Sequence, residues 1–294
     1  MIDNLSGIFP PLTTPFTEDE LALDKLLRNL RKYERRELSG YVLFGSNGES
    51  AFLTREEKLQ IISSVREHTK KILIAGTGLD SIKETISLTN EAAEKGADYA
   101  LIITPSFFKS EMKHHTFLNY YTKVAESVMI PVIIYNVPKF TNVNIEPETI
   151  IELSQHPNIA GLKDSTENPS RISEIVSNVP KSFKVIVGTA SVLYLGLTGG
   201  ATGGILALAN VAPDECIKMY NLFCEKKFNE ALELQNRMIP VNRAVTSKFG
   251  VAGLKAAMDM MGYFGGNPRL PLEPLNEAQL IELKMILKKA SLID

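Results

Sequence analysis

The sequence predicts an α/β protein, a (β/α)8 TIM barrel with a C-terminal helical extension. Three observations favour this fold. Eight short β-rich apolar runs lie between residues 7 and 208, segments with helical spacing of apolar residues separate most of them, and the chain after the eighth run has helical patterns only. Strands that are apolar along their whole length and are joined by helices belong to a parallel sheet covered on both faces. Eight such units suit a closed barrel.

The predicted strands, in chain order, span residues 7–13, 40–45, 71–76, 98–103, 131–136, 159–163, 184–188 and 203–208. Apolar spacing predicts helices between them over 23–38, 54–68, 80–94 and 111–128. The start at Thr54 has the clearest signal, because Glu57 stands three residues later and completes a capping box. The glycine-rich stretch 198–204 lacks the Gly-Lys-Ser/Thr ending of a phosphate loop, so it predicts a helix end that leads into the eighth strand.

A doubly wound open sheet is the alternative fold. Against it, no Gly-x-Gly-x-x-Gly follows the first strand, and no acidic residue stands where a dinucleotide ribose would need one. We therefore assign residues 1–212 to the barrel. Residues 213–294 contain more helix than one crossover needs, with Pro240, Pro268, Pro271 and Pro274 as breaks. This extension includes the last barrel helix and is expected to pack on the barrel or on a neighbouring subunit.

Composition excludes several classes of partner. The net charge is −2 and the basic residues are dispersed among acidic ones, which argues against nucleic-acid and anionic-membrane surfaces. The opening Met1–Ser6 carries no basic or apolar leader, and no apolar run approaches the ~20 residues of a membrane helix. The two cysteines, Cys216 and Cys224, lack metal-ligand spacing and are expected in the core of a reduced, cytoplasmic protein.

The candidate chemistry lies at the ends of two predicted strands. Lys163 ends the apolar run Ile159–Lys163, where a lysine either pairs with a carboxylate such as Asp164 or acts as an uncharged nucleophile. Tyr135 stands near the end of the preceding strand, and a phenol there can move protons. An amine and a phenol at neighbouring strand ends are the minimum that a Schiff-base aldolase requires.

The turn after the second predicted strand is a candidate carboxylate site. In Gly45–Gly48 the glycines expose backbone N–H groups, and the Ser46 hydroxyl adds a donor. The same residues are also common in ordinary strand-to-helix turns, and the alternative stays open. Glu49, which follows, is expected to hold the turn through backbone hydrogen bonds.

These segments together resemble the dihydrodipicolinate synthase / N-acetylneuraminate lyase family of class I pyruvate aldolases. The matching pieces are Gly7–Phe16, Gly45–Glu49, Tyr135–Pro138 and Gly161–Asp164, in the family's order and spacing. The resemblance implies a homotetramer that needs no metal or other cofactor and acts on a 2-oxo acid and an aldehyde. It also implies site roles: imine formation by Lys163, proton transfer by Tyr135, binding of the pyruvate carboxylate by Ser46 and Asn47, and a pocket lined by Gly188 and Ile205.

Two departures from the family pattern bear on the substrate. Members that use aspartate semialdehyde typically carry an arginine where this chain has Phe140, and a relay tyrosine where it has Phe107 or Phe108. Segments such as Leu153–Ile159 and Ala207–Val211 are most similar to the 4-hydroxy-2-oxoglutarate aldolases. We therefore expect cleavage or formation of that compound or of a 2-keto-3-deoxy sugar acid. The alternatives are the dihydrodipicolinate synthase reaction and a non-catalytic relative that binds a 2-oxo acid.

Overall fold

The computed structural model describes residues 5–294, so the first four residues of the predicted barrel segment lie outside it. Eight parallel strands form one sheet within this range. In chain order they are β1 (Gly7–Phe9), β4 (Gly40–Leu43), β5 (Ile72–Gly76), β6 (Tyr99–Ile103), β7 (Val132–Asn136), β8 (Ile159–Asp164), β9 (Lys184–Val187) and β10 (Gly203–Ile205). Their order in the sheet follows the chain, and β1 pairs with β10. The eight predicted strands are confirmed, each with ends within a few residues.

The sheet closes between β1 and β4 through the segment that follows β1. Leu12 N donates to Val42 O at 2.9 Å, and Val42 N donates to Pro10 O at 3.1 Å. Pro10 and Pro11 have no N–H to give to a ladder, so regular pairing of the first strand stops at Phe9 instead of reaching residue 13. The result is the predicted barrel.

Helices cover the outside of the barrel. They are α1 (Leu23–Tyr33), α2 (Arg55–His68), α3 (Ile82–Glu94), α4 (His114–Ser127), a short α5 (Pro138–Thr141), α6 (Pro147–Leu153), α7 (Pro169–Asn178), α8 (Leu193–Thr198) and α9 (Pro213–Cys224). A small hairpin, β2 (Phe16–Thr17) with β3 (Glu20–Leu21), precedes α1. The predicted capping box is present, because Glu57 N donates to Thr54 Oγ1 at 3.2 Å and Thr54 N donates to Glu57 Oε2 at 2.8 Å.

The rest of the chain forms α10 (Phe228–Arg243), a π-helix (Ala244–Lys248), α11 (Gly250–Met260) and α12 (Glu277–Lys289). The prediction that Pro240 breaks a helix is wrong, since Pro240 lies inside α10. The backbone adapts a few residues later, where α10 runs directly into the π-helix. The other three prolines do lie outside helices, between α11 and α12.

Two layers of apolar side chains hold the barrel. An inner cluster fills the space enclosed by the strands and includes Phe9, Ile133, Tyr135, Ile186 and Ile205. A larger outer cluster packs the strands against the helices. A register shift between Val132 and Ile133 lets Tyr135 pair directly with Lys163 on the next strand. Such irregularities re-aim side chains, and here the pairing brings a phenol and an amine together.

Cys216 is buried as predicted, but Cys224 is exposed because it lies in the last turn of α9. Over residues 5–294, no helix combines the length and apolar character needed to cross a membrane. Within the same range, no group of three or more His, Cys, Asp or Glu side chains is placed to hold a metal ion.

Candidate active site

A cavity of about 1590 Å³ opens at the carboxyl ends of the barrel strands. This is the end at which barrel enzymes place their catalytic groups. Among the predicted site residues, those that line the cavity are Ser46, Asn47, Tyr135, Phe140, Lys163 and Gly188. We call Ser46, Asn47, Tyr135, Lys163 and Gly188 the floor. We use the name rim for eight other cavity-lining residues, which come from loops and from helical segments: Phe140, Asn144, Glu146, Glu167, Asn168, Glu174, Thr246 and Ser247.

Lys163 is buried, and none of the acidic side chains in residues 5–294 pairs with it. Its side chain lies against Tyr135, with Nζ 4.0 Å from the ring centroid. Asp164, its neighbour in sequence, points to the other side of β8 and pairs with Arg171 at 3.0 Å. In the part of the chain that the structure describes, no carboxylate lies within ion-pair distance of Lys163. The alternative of a Lys163–Asp164 pair is therefore wrong, and the amine is left facing the cavity.

The Asp164 carboxylate has several partners of its own under the floor. It accepts hydrogen bonds from Asn136 Nδ2 at 3.2 Å and from Thr166 N at 2.9 Å, in addition to the Arg171 guanidinium. The Arg171 guanidinium also donates to the Ile145 carbonyl. This network ties the end of β8 to the loop that follows β7, which keeps the Tyr135 and Lys163 strand ends side by side.

The Tyr135 side chain extends towards the turn that follows β4. Its hydroxyl lies 3.3 Å from Ser46 Oγ, and either oxygen can donate. The two hydroxyls form a short path along which a proton can move from the neighbourhood of Lys163. Thr104, at the end of β6, also lines the cavity, and its buried hydroxyl has no hydrogen-bond partner within residues 5–294. The sequence analysis missed Thr104, because a threonine at a strand end gives no pattern of its own.

The turn Gly45–Gly48 is a single 3-10 turn over Ser46–Gly48. Thr14 Oγ1 donates to Gly48 O at 2.7 Å. A Cβ on Gly48 would lie 2.9 Å from the Leu12 carbonyl, so only glycine fits there. Glu49 ends the turn in the left-handed region, at φ 55°. Because these contacts hold the carboxyl end of the turn, Ser46 and Asn47 have a fixed position at the cavity wall.

Gly188 forms the opposite wall with its backbone. A Cβ at this position would meet Ser165 Oγ at 1.9 Å and Asp164 O at 2.8 Å. Its N–H donates to Asp164 O at 2.7 Å. No side chain fits here without moving the end of β8, which explains a glycine beside the amine.

The rim is more exposed than the floor and is rich in oxygen atoms. Phe140, on α5, is 57% exposed. Lys139 beside it holds its ammonium 5.5 Å from the Phe140 ring centroid and donates to Thr246 O at 3.1 Å. Three rim residues are carboxylates, Glu146, Glu167 and Glu174, and the others except Phe140 are amides or hydroxyls. The rim therefore offers a ligand many hydrogen-bond acceptors, while the basic side chains Lys58, Lys139 and Arg171 line other parts of the cavity.

Two predicted site residues lie elsewhere. Phe107 is 77% exposed, its ring contacts Phe108 at a centroid distance of 5.0 Å, and it is not part of the cavity wall among the described residues. Ile205 is fully buried in the inner cluster with Tyr135 and supports the floor from below. The structure thus brings together six of the eight predicted residues at the cavity.

Comparison with known proteins identifies relatives along nearly the whole chain. A family model described as the dihydrodipicolinate synthetase family matches residues 4–290. The 4-hydroxy-tetrahydrodipicolinate synthase of Methanothrix thermoacetophila is 36% identical over 287 residues, which cover 97% of this chain and 97% of that protein. Dihydrodipicolinate synthase from Aquifex aeolicus has a crystal structure with a TM-score of 0.91 at 32% identity, covering 98% of this chain and 99% of the other.

A third relative was solved with a ligand. The chloride-inhibited dihydrodipicolinate synthase from Acinetobacter baumannii, complexed with pyruvate, has a TM-score of 0.92 at 28% identity, and the match covers 98% of this chain and 99% of that chain. These three proteins carry the name of the synthase and not that of the 4-hydroxy-2-oxoglutarate aldolase which the sequence motifs favoured.

Proposed function

The chain belongs to the dihydrodipicolinate synthetase family, and from that membership we propose that Lys163 forms a Schiff base with the C2 carbonyl of pyruvate while Tyr135 moves the protons. Members of the family are enzymes that use pyruvate through a Schiff base. The protein is accordingly a carbon–carbon lyase of the class I aldolase type. The alternative of a non-catalytic relative is not retained.

The observation that carries the assignment of roles is the isolation of the Lys163 amine. It is buried, it has no carboxylate partner among the described residues, and it lies against the ring of Tyr135. An amine attacks a carbonyl in its uncharged form, and a carboxylate at ion-pair distance would stabilise the charged form instead. Asp164 is kept away by Arg171, so the amine is available.

The reaction then follows from the chemistry of the imine. Lys163 Nζ attacks C2 of pyruvate, the carbonyl oxygen leaves as water, and Tyr135 with Ser46 carries the protons that this exchange requires. The iminium withdraws electrons from C3, so loss of a C3 proton gives an enamine. The enamine attacks an aldehyde to form a C3–C4 bond. In the opposite direction, cleavage of that bond releases the aldehyde, and hydrolysis frees Lys163.

We propose that the aldehyde partner is hydroxylated and uncharged, so that the full substrate is a 2-keto-3-deoxy sugar acid. The other predicted substrate, 4-hydroxy-2-oxoglutarate, ranks behind it, because its aldehyde is glyoxylate, an anion. Support comes from the rim. Its carboxylates and amides accept hydrogen bonds from hydroxyl groups, whereas a second anionic group would meet Glu146, Glu167 and Glu174. Phe140 offers an anion no donor. Between the two named substrates, the rim favours the sugar acid, since 4-hydroxy-2-oxoglutarate carries a second carboxylate.

The 4-hydroxy-tetrahydrodipicolinate synthase reaction is the second candidate. The names of the relatives support it more directly than they support the first, since the Methanothrix synthase is 36% identical along nearly the whole chain. In this reaction the acceptor is aspartate semialdehyde, whose carboxylate needs a cation. Lys139 is the nearest basic side chain to Phe140 that could supply one, and it would have to leave the Thr246 carbonyl to do so.

We also propose that the protein assembles as a homotetramer, as the family resemblance implies. Phe107 and Phe108 expose 77% and 68% of their surfaces, and adjacent exposed aromatic rings are typical of residues that an interface covers. Sedimentation velocity of the purified chain tests this proposal. A monomer over the whole range of working concentrations would contradict it.

One preparation tests both parts of the function. Borohydride reduction in the presence of pyruvate should add one pyruvate-derived mass to the peptide that contains Lys163. The kcat/KM values of a polyhydroxy aldehyde, glyoxylate and aspartate semialdehyde, measured at fixed pyruvate, then rank the candidates. An adduct on another lysine, or active enzyme without an adduct, would overturn the proposed chemistry, while a preference for aspartate semialdehyde would replace the first candidate by the second.

A further inference from the structure

The turn that carries Ser46 and Asn47 is attached to the C-terminal extension by a fully buried ion pair. Lys255, on α11, places its ammonium 2.5 Å from Glu49 Oε1, and neither side chain has solvent-exposed surface. Glu49 is the residue that ends the turn. The expected backbone role of Glu49 is thus only part of what the structure shows, since its main partner is a lysine far along the chain.

The second carboxylate oxygen of Glu49 is held by the loop after α11. Glu49 Oε2 accepts a hydrogen bond from Arg269 N at 2.8 Å. The Arg269 guanidinium donates to Phe52 O at 2.8 Å and to Glu57 Oε1 at 2.7 Å, beyond the other end of the same loop. Lys255 Nζ also donates to Asn267 O at 2.9 Å. The extension therefore contacts residues 49–57 at several points.

The pair is better suited to fixing a geometry than to adding stability. Burying two charges costs solvation free energy, and their mutual attraction offsets only part of that cost. A well-packed pair of apolar side chains would stabilise the fold as well. A buried pair does, however, penalise every arrangement in which the two charges separate. Burial also lowers the pKa of Lys255 from its ordinary range, and the Glu49 carboxylate opposes that shift. Glu49 meanwhile holds a left-handed φ of 55°, a conformation that surrounding contacts must maintain.

We propose that Lys255 is a positioning residue for catalysis: by holding Glu49 it fixes the turn Gly45–Gly48, so that Ser46 and Asn47 meet the pyruvate carboxylate. This inference rests on the proposed function, because it assigns that turn to pyruvate. It predicts that a residue of the extension, which is not among the cavity-lining residues, sets the affinity for pyruvate and, through Ser46, the rate of proton transfer, while the acceptor side is unaffected.

The test removes the pair as a unit. In Glu49→Gln/Lys255→Met both charges are lost, the side-chain lengths are kept, and an amide oxygen remains for Arg269 N. We expect a folded protein by circular dichroism, a KM for pyruvate raised at least tenfold, and an acceptor KM within about twofold of wild type. The rate of borohydride trapping at saturating pyruvate should fall no further than it does in Ser46→Ala, because the shifted turn also takes Ser46 out of the proton path. Lys248→Met is the matched control, because it breaks an exposed ion pair with Glu282 in the same extension and should leave the pyruvate KM unchanged.

The single variant Glu49→Gln is a less disruptive test if the double variant does not fold. It keeps the shape of residue 49, and Lys255 can lose its proton in a buried site. We expect a threefold or larger rise in the pyruvate KM with an unchanged acceptor KM. A folded variant of either kind with a wild-type pyruvate KM overturns the proposal, as does a variant in which the acceptor KM rises together with the pyruvate KM. Failure of wild-type enzyme to trap pyruvate on Lys163 would instead overturn the proposed function.

Discussion

The floor and the rim of the cavity are built in opposite ways. Floor residues sit at the ends of strands or in a turn held at its carboxyl end, and Lys163 is only 3% exposed and Tyr135 only 5%. Rim residues come from loops, from α5 and α7 and from the π-helix, and Phe140 is 57% exposed. The floor can therefore hold the reacting amine and phenol in one geometry, while the rim can change its chemistry at little cost to the barrel. This contrast assigns the reaction type to the floor and the choice of aldehyde to the rim.

The strongest test of the floor is Lys163→Arg. Arginine keeps the positive charge but is not a usable nucleophile, so the borohydride adduct should disappear and kcat should fall by about 10⁴-fold or more. Mass spectrometry and steady-state kinetics give the two readouts, and circular dichroism checks the fold. An adduct that persists in the variant would place the imine on another lysine.

Tyr135→Phe should have the next largest effect. The substitution removes only the hydroxyl and leaves the ring that lies 4.0 Å from Lys163 Nζ. We expect kcat to fall by about 10²–10⁴-fold, the range for a lost general acid or base. Because the ring remains, any change reports on proton transfer and not on packing around the lysine. Turnover within threefold of wild type would show that another group moves the protons.

Ser46→Ala tests the second hydroxyl of the proton path. The Ser46 Oγ lies 3.3 Å from the Tyr135 hydroxyl, and its loss leaves that hydroxyl with one partner fewer. Leaving a buried polar group short of a partner costs about 2 kcal/mol, or roughly thirtyfold in rate. If Ser46→Ala lowers kcat in the wild type but causes no further fall when it is added to Tyr135→Phe, the two residues lie in one path. Additive effects of the two substitutions would contradict the shared path.

The barrel and most of the floor could be predicted from sequence because their signals are local. Apolar runs, the Thr54 capping box and the strand ends at Tyr135 and Lys163 are all visible within a few residues. Boundaries were less accurate. Prolines shortened the first strand, and α10 continues past Pro240.

The contacts that hold the floor could not be predicted, because their partners are far apart in the chain. Lys255 and Arg269 meet Glu49 only after the extension folds back over the turn that follows β4. Local patterns could suggest that Glu49 is structural but could not name its partners. Phe107 shows the opposite kind of error. The family resemblance placed it in the substrate site, but among the described residues it is not part of the cavity wall.

The smallest expected effect is at the rim, and Phe140→Arg measures it. An arginine at this position could donate to a carboxylate that enters above Lys163, whereas the native ring cannot. One hydrogen bond to a charged group contributes about 1.5 kcal/mol in a partly exposed site, which is roughly tenfold in kcat/KM. We expect the kcat/KM for aspartate semialdehyde to rise by that factor. Values for a neutral polyhydroxy aldehyde and the rate of pyruvate trapping should stay within about twofold, because the floor is unchanged.

Phe140→Leu is the control that separates charge from size, since it removes the ring without adding a donor. If Phe140→Leu raises the kcat/KM for aspartate semialdehyde as much as Phe140→Arg does, the ring acts by obstruction and the charge argument is wrong. The order of the wild-type kcat/KM values for the aldehydes decides which reaction the enzyme catalyses. A wild-type enzyme that already prefers aspartate semialdehyde would require another cation at the rim, with Lys139 as the candidate, and would make the synthase reaction the function. In that case Lys139→Met should lower the kcat/KM for aspartate semialdehyde by roughly tenfold and leave pyruvate trapping unchanged, because a rim residue would again be choosing the aldehyde for an unaltered floor.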